Sequence, residues 1–194
     1  MRPPALDDRC VDALRRAIAA ADALGIDAAE ARRVADDAET RLGFPGDRTV
    51  VALVGGTGVG KSTLLNALAG REVSTASARR PTTNAPVAWL PDGGDEDGLA
   101  EVLDWLDVPT SARVRGGDGA AGERPPTILD LPDLDSIEPG HRARVDELLP
   151  RVDAVVWVTD PEKYHDALLH DEVLARWLPR LGRQLVVVNK ADRL

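Results

Sequence analysis

Residues 50–63 read VVALVGGTGVGKST, five apolar residues running straight into a loop with four glycines and a single lysine. A short β-branched run bounded by glycine reads as a buried strand, and STLLNALAG (62–70) after the loop reads as a helix. Strand, glycine-rich turn and helix in that order leave successive backbone N–H groups pointing into one concavity, to which the helix N-terminus adds its positive end. Gly55, Gly56, Thr57, Gly58, Val59, Gly60, Lys61 and Ser62 fit G-x-x-x-x-G-K-[ST]. In that pattern the lysine reaches the β and γ phosphates of a nucleotide and the serine hydroxyl ligates Mg²⁺. Thr63 completes the stretch assigned to the nucleotide. The loop alone distinguishes neither ATP from GTP nor a kinase from a switch.

Downstream, TILDL (127–131), AVVWVT (154–159) and QLVVVN (184–189) are apolar enough to be strands covered on both faces, and APVAWL (85–90) is a weaker strand. GLAEVLDWL (98–106) and the stretches near 139–150 and 166–178 read as helices between them. PTSARVRGGDGAAGERPP (109–126), dominated by Gly, Pro and polar residues, reads as a mobile loop or an insertion. Strands separated by helices imply right-handed crossovers. The expected fold class is therefore α/β, a three-layer P-loop nucleotide-binding fold with a mostly parallel sheet over residues 46–194.

The first 45 residues have a different texture. Residues 5–43 are rich in Ala, Arg and Asp and contain no proline. Cys10, Leu14, Ala17, Ala21 and Leu24 alternate at spacings of four and three, an apolar stripe that Gly25 ends. Asp27-Ala28-Ala29-Glu30 has capping-box spacing, and Ala31, Val34, Ala38 and Leu42 continue a second stripe. The expected unit over residues 1–45 is a helical hairpin, more readily a structural flank than a membrane-binding or dimerising element.

Composition bounds the setting. The 194 residues are 43% hydrophobic but only 3% aromatic, so the core is mostly Val, Leu and Ala. A formal net charge of -9 repels nucleic acid and anionic lipid at long range, which argues against direct nucleic-acid binding by this segment. Cys10 is the single cysteine and excludes an intramolecular disulfide. The start carries no signal pattern and the apolar runs are too short to cross a bilayer, so the expected location is cytoplasmic.

The base is read at the end of the last strand, where Asn189-Lys190-Ala191-Asp192 gives N-K-x-D. With a phosphate loop upstream, this chain resembles the P-loop GTPases of the translation-factor, Ras and Era, and dynamin-like class. The resemblance implies GTP or GDP with Mg²⁺ as ligands. It implies that the Asp192 carboxylate accepts the N1–H and N2–H of guanine, that Asn189 braces the phosphate loop and that the Lys190 stem covers the base. In ARRPTTNAP (78–86), Thr82 and Thr83 lie where the family keeps its switch threonine; Thr83 is preferred, as a metal ligand and catalytic partner of Lys61. Asp130, ending TILD, matches the aspartate that holds Mg²⁺ through water.

Three departures stand out. The family's D-x-x-G is Asp130-Leu131-Pro132-Asp133 here, which places a carboxylate where a phosphate-facing glycine is expected. Leu134 occupies the position of the water-orienting glutamine in Ras-like members, so intrinsic hydrolysis is expected to be slow unless Asp133, Asp135 or a partner acts instead. No arginine finger is identifiable, Arg79 and Arg80 beside the switch threonines being candidates only. The chain also ends right after N-K-x-D, which suggests a piece of a longer protein and leaves LVVV as an uncovered sheet edge.

RPTTNAP, DLPDLDS and TDPEKYHDALLHDEVL further resemble bacterial dynamin-like GTPases. That likeness implies a homo-oligomer or nucleotide-dependent dimer, with membrane association through sequence beyond residue 194. The expected function is GTP hydrolysis as a switch or mechanochemical enzyme. The alternatives are a nucleotide-binding module with negligible turnover, an Era-like ribosome-assembly GTPase, and a P-loop kinase or ATPase.

Overall fold

The computed structural model describes residues 8–44, 49–74, 85–92, 98–117, 125–135, 139–162 and 174–193. Val50–Val54 forms strand β1, in which Val50, Ala52, Leu53 and Val54 are buried. Its flanking partners explain why the run carries no polar residue. Strand β4 (Thr127–Asp130) pairs parallel on one side and β5 (Ala154–Thr159) parallel on the other. A strand sandwiched in this way offers no face to water, and each large aliphatic side chain buried there contributes about 2 kcal/mol.

Three further strands complete the sheet: β2 (Val87–Leu90), β3 (Arg113–Arg115) and β6 (Gln184–Val188). The order is β3-β2-β4-β1-β5-β6, with β2 antiparallel to β4 and every other pairing parallel. Helix α3 (Lys61–Ala69) covers one face, packing Leu65 and Ala69 against Leu53, Trp89 and Ile128. The other face buries Ala52, Val54, Leu129 and Trp157 under α4 (Leu99–Trp105) and α5 (Pro139–Leu148). Alternate residues of each strand thus serve opposite cores, which makes the three layers the sequence implied.

Two expectations about the sheet need correction. Residues 109–126 are not wholly loop: Thr110–Ala112 form a 3-10 turn and Arg113–Arg115 an edge strand held by Leu90, whose carbonyl accepts from the Gly116 N–H (3.0 Å). Strand β6 is not covered on both faces, since Leu185, Val186 and Val188 are 59%, 51% and 41% exposed at the sheet edge. Helix α5 is continued by a 3-10 turn at Leu149–Arg151. Of the helix expected over 166–178, the described part contains one helical turn, α6 (Ala175–Trp177).

The N-terminal segment forms α1 (Asp8–Ala23) and α2 (Ala29–Gly43). At Gly25, φ is +70°, and the Gly25 and Ile26 N–H groups donate back to Asp22 and Ala21, a Schellman-type stop. The expected capping box does not form: Ala28 is the N-cap of α2, and Asp27 Oδ1 accepts instead from the Ala29 N–H (2.9 Å). The stripes are realised in part, at Leu14, Ala21 and Ala31, with the buried centre one position on from the others. Val11, Ile18, Ala28 and Ala35 are buried, with Leu14, Ala21 and Ala31 beside them, whereas Cys10, Ala17, Leu24, Val34 and Leu42 are exposed. Small alanines on several faces made neighbouring registers equivalent in the sequence.

The hairpin is tied to the sheet domain by Asp153. Its Oδ2 accepts from Arg41 Nη2 (2.9 Å) and from the Val50 N–H at the start of β1 (2.7 Å). Phe44 stacks at a tilt on Trp105, and the Arg151 guanidinium lies over the same ring. Among the described residues, no helix is long and apolar enough to cross a membrane.

Candidate functional site

The carboxyl ends of four adjacent parallel strands, β4, β1, β5 and β6, open onto one crevice. Strand order reverses about β1 there, the position at which open α/β sheets bind ligands. From β1 rises the loop 55–60, with Gly58 and Gly60 at φ +76° and +94°. A Cβ on Gly55 would collide with the Val158 carbonyl oxygen of β5 and touch Val59, so the turn is closed against the neighbouring strand. Helix α3 begins at Lys61, which is only 5% exposed. Its ammonium donates to the carbonyls of Gly55 (2.9 Å) and Gly56 (3.3 Å) and to Asp133 Oδ1.

At the end of β4, Asp130 is buried at 6% exposure. Its Oδ2 accepts from the Ser62 hydroxyl (2.7 Å) and the Ser74 hydroxyl (2.9 Å). Ser74 is aimed by Asn66, whose Oδ1 accepts from the Val73 and Ser74 N–H groups while its Nδ2 donates to the Ser74 carbonyl. The other carboxylate oxygen, Asp130 Oδ1, is buried without a hydrogen-bond partner among the described residues. Such an orphan acceptor is costly in a dry interior and fits a hydrated cation beside it.

From β6 comes the second anchor. Asn189 Nδ2 donates to the Val59 carbonyl (2.9 Å), and a Cβ on Gly60 would run into that same amide. Lys190, at φ +53°, donates to the Gly58 carbonyl (2.5 Å) and to Asp160 Oδ2 (2.7 Å). Asp160 follows β5 directly and is 2% exposed. Asp192 lies in an exposed 3-10 turn, Ala191–Arg193, whose Arg193 meets Glu162 (3.3 Å).

The structure therefore brings residues 55–62, Asp130, Asn189 and Lys190 to one crevice, with Thr63 on the first turn of α3. Thr82, Thr83, Arg79 and Arg80 lie outside the described residues. Sequence reasoning missed Ser74 and Asp160. Asp160 carries the signal that singled out Asp130, a carboxylate closing an apolar strand, whereas Ser74 has no local signature. Asp133, at the position of the family glycine, faces Lys61, and Asp135 Oδ1 accepts from the Thr57 N–H (2.6 Å) and hydroxyl (2.8 Å). Leu134, between them, is buried in the core.

Sheet order, glycine loop and strand-end carboxylates define a P-loop nucleotide-binding domain of the G-domain kind. Residues 50–190 match the family described as 50S ribosome-binding GTPase, and the chain belongs to that family. It is 29% identical over 143 residues to the GTPase Era of Neisseria meningitidis serogroup C, an alignment covering 74% of this chain and 38% of Era. The chain thus spans well under half the length of the curated relatives it matches. An oligomerised bacterial dynamin pair, solved as a mechanism for long-range sensing and tethering of membranes, matches 85% of this chain and 28% of its own at 19% identity and TM-score 0.45. Era in complex with MgGDPNP and a segment of 16S ribosomal RNA matches 77% of this chain and 43% of its own, at 22% identity and TM-score 0.45.

Proposed function

We propose that this chain binds GTP and GDP with Mg²⁺ and hydrolyses GTP to GDP and phosphate by in-line attack of water. The observation that carries this reading is the bond from Asn189 Nδ2 to the Val59 carbonyl, which ties the strand-end N-K-x-D to the phosphate loop across 130 positions of chain. With the Lys190 bond to the Gly58 carbonyl, it links the part that would read guanine to the part that would hold phosphate. In this reading Lys61 and the amides of residues 56–62 hold the phosphate chain. Ser62 and Asp130 hold Mg²⁺ and its water shell, and Asp192 accepts the guanine N–H groups. Lys190 is locked over the loop by Asp160. Mg²⁺ supplies neutralisation of the charge that builds on the phosphate oxygens. Thr83 is assigned to the switch, with Thr82 as its alternative.

Positioning and charge neutralisation do most of the work in phosphoryl transfer, so Lys61 and the preset amides are the main contributors from the protein. Leu134 packs in the core and offers no polar group to water, which supports a slow intrinsic rate. The second reading, a binding module with negligible turnover, is favoured by Asp133 on Lys61. We place the protein in the cytoplasm, with residues 1–45 as a structural flank. Its task is that of a molecular switch or of a dynamin-like mechanochemical GTPase, the latter with a homo-oligomer or nucleotide-dependent dimer. An Era-like task would add RNA, against which the net charge of -9 argues.

Nucleotide titration and single-turnover phosphate release on the full-length protein test this. Magnesium-dependent capture of guanine nucleotides with slow release of phosphate is expected. Equal or tighter ATP binding overturns guanine recognition, and release no faster than in buffer leaves the binding module.

A further inference from the structure

Asp133 and Asp135 take the donors that a phosphate chain would use. An ammonium has three N–H donors, and those of Lys61 go to Gly55, Gly56 and Asp133, of which only Asp133 is charged. Thr57 gives both its N–H and its hydroxyl to Asp135. The arrangement is built rather than casual. Leu134 is inserted in the core between the two carboxylates, its N–H reaches the Gly55 carbonyl (3.3 Å), and the Leu131 N–H reaches Leu53 (3.2 Å). Backbone and core together hold residues 133 and 135 toward the loop. Lys61 and Asp133 are both well shielded, their side chains 4% and 20% exposed, so little solvent weakens the pair.

We infer that Asp133 and Asp135 are resident anions of the phosphate loop that set its affinity and its preference between di- and triphosphate. This rests on the reading of residues 55–62 as the phosphate site. Phosphate oxygens and the two carboxylates compete for Lys61 and Thr57, so part of the binding free energy of any nucleotide goes into displacing them. Because Leu131 and Leu134 anchor the segment, a displaced Asp133 stays near the loop. It then repels the additional charge of a third phosphate more than it repels two. The aspartate in place of the family glycine thereby makes the site favour GDP.

Asp133→Asn and Asp135→Asn keep the shape and remove the charge. Calorimetric titration with inorganic pyrophosphate, GDP and GDPNP, each with Mg²⁺, measures the consequence on the full-length protein. Charge-assisted hydrogen bonds support an expectation of roughly tenfold tighter pyrophosphate and GDP binding in each variant, with a larger gain for GDPNP in Asp133→Asn. Glu162→Gln removes the same unit of charge beside Arg193 and should change these affinities less than about twofold. Affinities equal to the unaltered protein, or an equal gain in Glu162→Gln, overturn the inference. An equal gain for GDP and GDPNP overturns the phosphate-count preference. In the unaltered protein, the Asp133 and Asp135 carboxyl carbon resonances must shift on adding pyrophosphate; unmoved resonances overturn the inference without any variant. Pyrophosphate reports on the loop whatever base the site accepts, so a failure of guanine recognition is seen separately, as GDP binding no tighter than ADP.

Discussion

At the glycine-loop end of the crevice, residues 55–62 grow from β1, a strand paired on both sides and packed into two cores, and Ser62, Ser74 and Asp130 close a buried hydrogen-bonded set beside it. At the other end, residues 189–192 grow from β6, an edge strand with three exposed aliphatic side chains, and Asp192 stands in an exposed turn. The first end is fixed by packing. The second is held by the pairing of β6 with β5, by the Asn189 N–H on the Thr159 carbonyl and by two side chains, Asn189 and Lys190, that reach back to loop carbonyls. The glycine loop is thus held by packed strands, whereas the N-K-x-D end is held by the pairing of β6 with β5 and by a few side-chain contacts. Substitutions at the two ends should fail in different ways.

The sharpest separation comes from Asp192→Asn. Loss of a charged acceptor at an exposed position should leave the thermal melt unchanged within about 0.5 kcal/mol, yet lower GTP affinity about 100-fold. Fluorescent-nucleotide titration against adenine and guanine competitors measures it, and an unchanged guanine preference would detach Asp192 from the base. Gly55→Ala should do the reverse. Its Cβ meets the Val158 carbonyl oxygen and Val59 inside a packed region, which should cost about 2–3 kcal/mol by denaturant melt. Val186→Thr on β6 should stay within about 0.5 kcal/mol. If the two costs were equal, the contrast between packed and unpacked ends would be broken.

What the sequence disclosed follows the same division. Strands β1, β4 and β5 announced themselves as apolar runs because both of their faces are buried, and the glycine loop because backbone close to phosphate tolerates few side chains. Strand β3 did not, since Arg-Val-Arg on an edge gains its order from the β2 backbone, and no periodicity in three residues reports that. Ser74 and Asp160 became visible only once distant strand ends met, Ser74 at Asp130 and Asp160 at Lys190. Asp133 and Leu134 were legible as departures from the family pattern. That one carboxylate would point at Lys61 while its neighbour filled the core depends on the packing of residue 134, which no spacing encodes.

Between the two ends, Asn189→Ala tests the tie itself. The side-chain bond to Val59 is lost while the backbone N–H of residue 189 keeps its partner, the Thr159 carbonyl (2.8 Å). Stability should fall by about 1 kcal/mol. Nucleotide affinity should fall roughly tenfold, with guanine losing more than pyrophosphate because only the base end is released. Equal losses for pyrophosphate and GDP would mean that Asn189 supports the loop rather than the spacing between ends.

The smallest effect belongs to the hairpin and provides a reference for both ends. Arg15 donates to Glu39 through Nε (2.8 Å) and Nη2 (2.7 Å) and to Asp36 through Nη2 (2.6 Å). These hydrogen bonds hold the Glu39 carboxyl below its ordinary range and the Arg15 guanidinium above its own. A carboxyl whose folded value is depressed contributes stability that is fully present above its unfolded value and is lost as pH falls through the folded one. Packing of α1 against α2 should therefore loosen below the ordinary glutamate range and be indifferent to pH near neutrality. Both partners are exposed, so added salt should shrink the effect. Amide exchange of residues 8–44 at neutral and acid pH measures it, and Glu39→Gln should flatten the difference. Among the described residues the Glu39 side chain bonds Arg15 within the hairpin, so exchange at residues 55–62 should not follow the hairpin. Exchange there that did follow Glu39 would show that Arg41 and Asp153 carry the state of the hairpin into β1.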